Sequence, residues 1–250
     1  MDEFAYALVS VVLVSLISLI GVFTISLKQE FINKIILILV AFAAGSMLGA
    51  AFFDILPEAV ELGDGNVFAY VFFGIIIFFI VERYVHWRHC HIRECEKHYH
   101  PATYLNLIGD ALHNFIDGSL IAAGFMASVP LGIVTTFAIA AHEIPQEIGD
   151  FAILVHGGFS RSKALIFNFI SSLAAVLGAI MTFFFARGTE GLIPITLAVA
   201  GGGFIYIAMA DLIPEIHKET RKENIVIQSA ALILGAAIIF ILTNVFKHGH

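Results

Sequence analysis

Charge is scarce in this 250-residue sequence: Asp, Glu, Lys and Arg together make up 13% of it, roughly half the share in soluble domains. Too few charged groups are present to clothe a water-soluble globule of this length. Basic residues are scarcer still, 13 Lys and Arg against 20 Asp and Glu, and the formal charge of −7 excludes the basic patch that nucleic-acid binding needs. Two cysteines, Cys90 and Cys95, exclude a disulfide framework. Long polar linkers are scarce too, 88–101 being the one sizeable connection. Connections as short as Ser128-Val129-Pro130 and Ser160-Arg161-Ser162 leave no room for a separate soluble domain, so 1–250 reads as a single membrane domain. The start, Met1-Asp2-Glu3, lacks the basic n-region of a signal peptide, and the first apolar stretch is expected to be a retained span.

What is abundant is apolar: 59% of residues are hydrophobic and the mean hydropathy is +0.93. A spanning helix needs about 20 mostly apolar residues. Eight segments qualify, at 4–27, 33–57, 67–87, 102–126, 130–156, 162–185, 191–213 and 225–246. The predicted fold is therefore all-α, a polytopic membrane protein of eight transmembrane helices. Eleven of the 13 Lys and Arg fall in odd-numbered connections, leaving only Arg187 and Lys247 on the other side. The positive-inside rule then puts both termini outside and the 88–101 loop in the cytoplasm. The outer face holds Asp2, Glu3, Glu61 and Asp64, an acidic rim that either concentrates cations or is simply solvated.

Span 2 ends Gly45-Ser-Met-Leu-Gly-Ala-Ala-Phe-Phe-Asp54-Ile-Leu-Pro57-Glu58, and span 7 ends Gly202-Gly-Phe-Ile-Tyr-Ile-Ala-Met-Ala-Asp211-Leu-Ile-Pro214-Glu215. Gly, Asp, Pro and Glu recur at the same offsets. Span 7 comes five spans after span 2, an odd step, so the copies face opposite sides of the membrane. The expectation is an inverted repeat, spans 1–3 and 6–8 around spans 4–5, as in many secondary transporters.

Spans 4 and 5 carry the chemistry. Span 4 reads Asp110-Ala-Leu-His113-Asn114-Phe-Ile-Asp117, and span 5 reads His142-Glu143-Ile-Pro145-Gln146-Glu147-Ile-Gly149-Asp150. Each ionisable group at mid-bilayer costs about 2.5–3.5 kcal/mol on insertion scales, so these must be satisfied inside the bundle. His113 and Asp117 share a face at i and i+4, with Asn114 beside them; His142 stacks with Gln146, and Glu143 with Glu147. Facing one another, they offer imidazole nitrogens, carboxylates and amide oxygens, a borderline set suited to Zn²⁺, Cd²⁺, Mn²⁺ or Fe²⁺. Pro145 cannot bond the Ala141 carbonyl and is expected to bend the helix beside the site. The alternative for either half alone is an ordinary buried polar pair.

These two stretches closely resemble the span 4 and span 5 signatures of the ZIP family of metal-ion transporters. Eight spans, outward termini and a His-rich loop after span 3 extend the resemblance over nearly the whole chain. It is nearest to the branch whose fifth span reads His-Glu-x-Pro-His-Glu-x-Gly-Asp. The resemblance implies that His113, Asn114, Asp117, His142, Glu143 and residue 146 line the transport site, with Glu147 in the same signature. It further implies metal movement into the cytosol, Zn²⁺ preferred, by alternating access of an elevator-like or rocking two-domain machine in the plasma (inner) membrane, and a homodimer. The expected partners are divalent metal ions and the lipid bilayer, with no resident cofactor and no enzymatic activity. The sequence departs from that branch at Gln146, where a weaker, uncharged ligand replaces His. Span 6 has no carboxylate where some relatives carry a Glu.

Outlying candidates are Met47, Asp54, Asp110 and Asp211, as relay ligands or packing residues, together with Asp150. His89, Cys90, His91, Cys95 and His98 form a soft-ligand tract whose spacing fits no structural zinc motif. Two rival functions stay open. An intramembrane metalloprotease would need a second His in its His-Glu-x-x-His motif, and Gln146 stands there. A cation-diffusion-type exporter shares paired His-x-x-x-Asp motifs but has six spans and a cytoplasmic metal-binding domain.

Overall fold

The computed structural model describes residues 2–21, 29–63, 65–90, 101–186 and 191–247. Every regular element among them is helical. Helix α1 (Asp2–Ser15) continues as a 3₁₀ segment, Leu16–Ile20. Helix α2 (Gln29–Ala50) passes through a π-helical turn (Ala51–Ile55) into α3 (Leu56–Leu62). Then come α4 (Val67–Cys90), α5 (Pro101–Ala127), α6 (Val129–His156), α7 (Arg161–Ser172) and α8 (Ala174–Ala186). Helix α9 (Leu192–Ile207) passes through a second π turn (Ala208–Leu212) into α10 (Ile213–Ile216), and α11 (Lys222–Lys247) follows.

Five helical stretches among the described residues are long and apolar enough to cross a bilayer: Glu3–Ile20, Ile35–Leu62, Arg161–Ala186, Leu192–Ile216 and Lys222–Val245. The apolar part of α4, Val67–Val81, is shorter. Helices α5 and α6, at 27 and 28 residues, are each roughly 40 Å long at about 1.5 Å per residue, and carry the polar side chains. Local chemistry sets the helix starts. The Ser128 hydroxyl accepts the Leu131 N–H at 3.2 Å, with Pro130 in the first turn of α6, and the Ser160 hydroxyl accepts the Lys163 N–H at 3.3 Å.

The two π turns have one cause. Pro57 and Pro214 lack the N–H that would bond residues 53 and 210, so the chain widens by one residue just before each. In the first turn the Leu56 N–H reaches the Ala51 carbonyl; in the second the Ile213 N–H reaches that of Ala208. Both turns fall on the repeated Gly…Asp-x-x-Pro-Glu segment.

Close helix approaches follow the glycines, as expected where lipid removes the hydrophobic drive between helices. A Cβ on Gly45 would strike the Leu232 carbonyl of α11, and one on Gly235 the Phe42 carbonyl of α2. The same reciprocal arrangement joins α9 to α4, Gly202 lying on the Val71 carbonyl and Gly74 on that of Val199. A third lock joins α5 to α8, with Gly118 against Ala175 and Gly178 against Phe115. Two serines tie α1 to α7: the Ser15 hydroxyl donates to the Ser172 carbonyl at 2.9 Å, and the Ser172 hydroxyl donates back to Ser15 at 3.0 Å. Helix α6 packs on α1, α2, α5, α7 and α11.

Candidate metal centre

Helix periodicity puts His113 and Asp117 on the face of α5 turned to α6, and His142 and Glu143 occupy adjacent positions on the α6 face turned back. The structure brings these four together, each contributing one ligand atom within 4.8 Å of the others. Asp117, His142 and Glu143 are buried, and His113 keeps 19% side-chain exposure.

Five of the six separations among the four ligand atoms define the site. His142 Nε2 lies 3.0 Å from Asp117 Oδ2 and 3.6 Å from Glu143 Oε1. His113 Nε2 lies 3.6 Å from Asp117 Oδ2 and 3.5 Å from Glu143 Oε1. The two imidazole nitrogens are 3.1 Å apart. Zinc–nitrogen and zinc–oxygen bonds of about 2.0–2.1 Å at tetrahedral angles give ligand–ligand edges of about 3.3–3.4 Å. The observed edges straddle that value, so a four-coordinate ion fits between the ligands with little adjustment.

His142 Nδ1 is 3.2 Å from the Ala138 carbonyl, which can only accept, so Nδ1 carries a hydrogen and Nε2 is the ring nitrogen turned to the site. Asp117 and Glu143 have all four carboxylate oxygens buried without a hydrogen-bond donor. Lone pairs and carboxylates converging in this way repel unless a cation or protons lie among them. The His113 ring meets that of His142 edge-on, centroids 5.3 Å apart, and Phe204 of α9 closes the far side at 6.2 Å from His142.

The other sequence candidates stand around this group. Asn114 is fully buried and donates its Nδ2 to Asp110 Oδ1 at 2.8 Å, leaving its own Oδ1 without a donor. Glu147 turns to α7, where its Oε2 accepts from Asn168 Nδ2. Gln146 lines a cavity of 270 Å³ that His113 also lines, together with Asn106, Asp110, Asp150 and Asp211. Asp110 Oδ2 accepts from the Ser171 hydroxyl, and Asp150 Oδ1 from Asn106 Nδ2 at 2.8 Å. Met47 is fully buried in the main apolar core. Asp54 is buried in the first π turn, whereas Asp211 in the second is exposed. His89 and Cys90 end α4 with side chains outside the description, and His91, Cys95 and His98 lie outside the described residues. Helix α6 is continuous through Pro145.

Sequence reasoning passed over Asn106, Asn168 and Ser171. A signal for the last two was present: they sit at i and i+3 in a stretch otherwise nearly all apolar, and a polar face inside a membrane span needs a partner.

A model of the ZIP Zinc transporter family matches residues 2–103 and 88–243. The zinc transporter ZIP13 homolog of Drosophila melanogaster is 30% identical over 292 residues, covering 88% of this chain and 81% of that protein. The zinc transporter zipt-7.2 of Caenorhabditis elegans is 28% identical, covering 82% of this chain and 57% of its own length. The metal cation symporter ZIP14 of Xenopus tropicalis is 28% identical, covering 97% of this chain and 70% of that protein. With the family match running over almost the whole length, this chain belongs to the ZIP zinc transporter family.

Proposed function

We propose that this protein carries divalent transition-metal cations, Zn²⁺ foremost, across a membrane and into the cytosol, and that His113, Asp117, His142 and Glu143 hold the ion in transit. The observation that carries this reading is the set of five ligand edges between 3.0 and 3.6 Å, the dimensions of a tetrahedral zinc shell. Asn114, Gln146 and Glu147 stand next to that shell, as ligands in another state or as supports for it. The names of the relatives, zinc transporters and metal cation symporters, agree. A carrier is favoured over a protease because residue 146 is Gln, not a second zinc-binding His.

Eight spans with both termini outside is the topology that the apolar runs and the lysine and arginine distribution favour; the reading is one transport domain in the plasma (inner) membrane. An inverted repeat finds support in the packing. The Gly45–Leu232 and Gly235–Phe42 contacts of spans 2 and 8 have their counterparts in Gly202–Val71 and Gly74–Val199 of spans 7 and 3. Gly45 and Phe42 map onto Gly202 and Val199 by the register that aligns Asp54 with Asp211. Matched halves of this kind give two states of similar energy, which alternating access requires. A homodimer, and metal capture or sensing by the 88–101 loop, complete the proposal.

The test is Zn²⁺ uptake into proteoliposomes by the wild type beside His142→Ala and Asp117→Asn, with Mn²⁺, Fe²⁺ and Cd²⁺ as competitors. Saturable uptake lost in both variants, which still insert and fold, is expected. Wild-type uptake retained in both would remove the four-residue site, and transport only out of the cytosol would replace the import reading with an exporter.

A further inference from the structure

Outside the four-ligand group, the least explained chemistry in the molecule is a pair of buried acids. Asp110 lies three residues before His113 on α5, and Asp150 lies seven residues after Glu143 on α6. The two helices run antiparallel, so both acids are displaced toward the same end of the bundle, the end where 91–100 joins α5. At about 1.5 Å per residue the displacements are roughly 4.5 and 10 Å. Asp110 is 5% exposed and Asp150 9%. Neither forms an ion pair with a Lys, Arg or His among the described residues. Asp150 Oδ2 is buried and accepts no hydrogen bond, although both acids line the 270 Å³ cavity that begins at His113. Buried carboxylates without a counter-charge are costly, and a cation is what removes that cost.

We propose that Asp110 and Asp150, with the side-chain oxygens of Asn106 and Gln146, form a second cation site, built of oxygen ligands alone, that takes a partly hydrated divalent metal. Asn106 commits its Nδ2 to Asp150 at 2.8 Å, which leaves its carbonyl oxygen for a ligand. Asp110 is fixed by Asn114 on one oxygen and Ser171 on the other, so it supplies charge from a set position. Asp150 Oδ2 supplies the open coordination place. At roughly 30 Å³ per water, the cavity holds an ion together with several waters. An oxygen-only set of two carboxylates and amides suits Mn²⁺ and other hard ions better than it suits Zn²⁺. Its geometry differs from the tetrahedral His-containing group, and an ion moving between them exchanges imidazole for water. The site's place on a transport path rests on the function proposed above; its existence does not.

The experiment is Mn²⁺ binding to the full chain in lipid nanodiscs, read by electron paramagnetic resonance, which separates ions coupled to imidazole nitrogen from ions with oxygen neighbours only. The wild type should bind an oxygen-only ion. Asp150→Asn should weaken that ion at least about tenfold, and Asn106→Asp, which adds a carboxylate, should tighten it by a similar factor. His142→Ala should remove a nitrogen-coupled ion and leave the oxygen-only one. Nitrogen-coupled Mn²⁺ on the 88–101 tract would be common to all variants and cancel between them. An oxygen-only ion absent from the wild type, or unmoved by both Asp150→Asn and Asn106→Asp, would overturn the second site and leave protons to neutralise the pair. A nitrogen-coupled signal as strong in His142→Ala as in the wild type would instead count against the four-ligand group. Should Asp150→Asn fail to fold, the gain expected in Asn106→Asp decides.

Discussion

One methyl group, placed at two glycines near the metal centre, should act in opposite directions. Gly118 follows Asp117, and a Cβ there would fall inside van der Waals contact of the Ala175 backbone, carbonyl included. Only backbone atoms lie nearest, so no rotamer change relieves the clash. The reciprocal contact of Gly178 with the Phe115 carbonyl pins the two helices from the other side. Gly118→Ala therefore forces α5 and α8 apart by about 1 Å, at the roughly 1–3 kcal/mol typical of overpacking, less the ~1 kcal/mol that Ala gains over Gly in a helix. Asp117 moves with its helix, and its 3.0 Å spacing from His142 leaves the range a tetrahedral ion needs. Zinc affinity should fall about 10–100-fold, the usual cost of disturbing the support of a ligand. Gly149 sits beside Glu147 and Asp150, yet a Cβ there meets nothing within 4 Å. Gly149→Ala should leave uptake intact and raise stability by up to about 1 kcal/mol. Thermal melts in detergent and the concentration dependence of Zn²⁺ uptake in proteoliposomes read both quantities. Equal behaviour of the two variants, whether both neutral or both damaging, would refute the packing argument.

Three further outcomes are expected. Uptake at subsaturating Zn²⁺ should weaken as pH is lowered, because protons compete for the imidazoles and carboxylates that must be free to bind metal; a rise would contradict the ligand set, and a pH series in proteoliposomes decides. Asn168→Leu removes the donor to Glu147 Oε2 and should destabilise the fold by about 1–3 kcal/mol, the cost of an unsatisfied buried acceptor; an unchanged melting temperature would mean that water replaces the amide. At the start of α11, the Arg221 side chain and backbone N–H, with Asn224, hold Glu219 down to a pKa of about 2 from its ordinary 4.5. The folded form is the stronger acid, so this cap is fully present above pH 4.5 and is lost as pH falls from there toward 2. Protection of the Thr220 and Arg221 amides, which Glu219 Oε1 accepts at 3.0 and 2.9 Å, measured as hydrogen exchange relative to the intrinsic rate at each pH, should fall over that window and be lower in Glu219→Gln above pH 4.5.

Much of this protein was legible before any tertiary contact was known. Apolar runs and sparse charge dictate membrane helices, because lipid leaves the backbone no partner but itself. The spacing of His113 and Asp117 fixes them on one face, since 3.6 residues make a turn. The recurrence of Gly, Asp, Pro and Glu at the ends of spans 2 and 7 marks two equivalent segments, and proline chemistry accounts for the π turn in each. Periodicity assigns a direction around one helix axis, however, and says nothing about which neighbour lies in that direction. Seven residues were equal candidates for the metal site. Packing brought four of them within 4.8 Å of one another, turned Glu147 toward Asn168, tied Asn114 to Asp110, and left Gln146 facing the cavity. Close glycine contacts between helices far apart in sequence decide those rotations and distances. A ligand set holding edges of 3.0 to 3.6 Å is therefore a property of how α5 and α6 are held against α2, α8 and α9, which no local stretch of sequence contains.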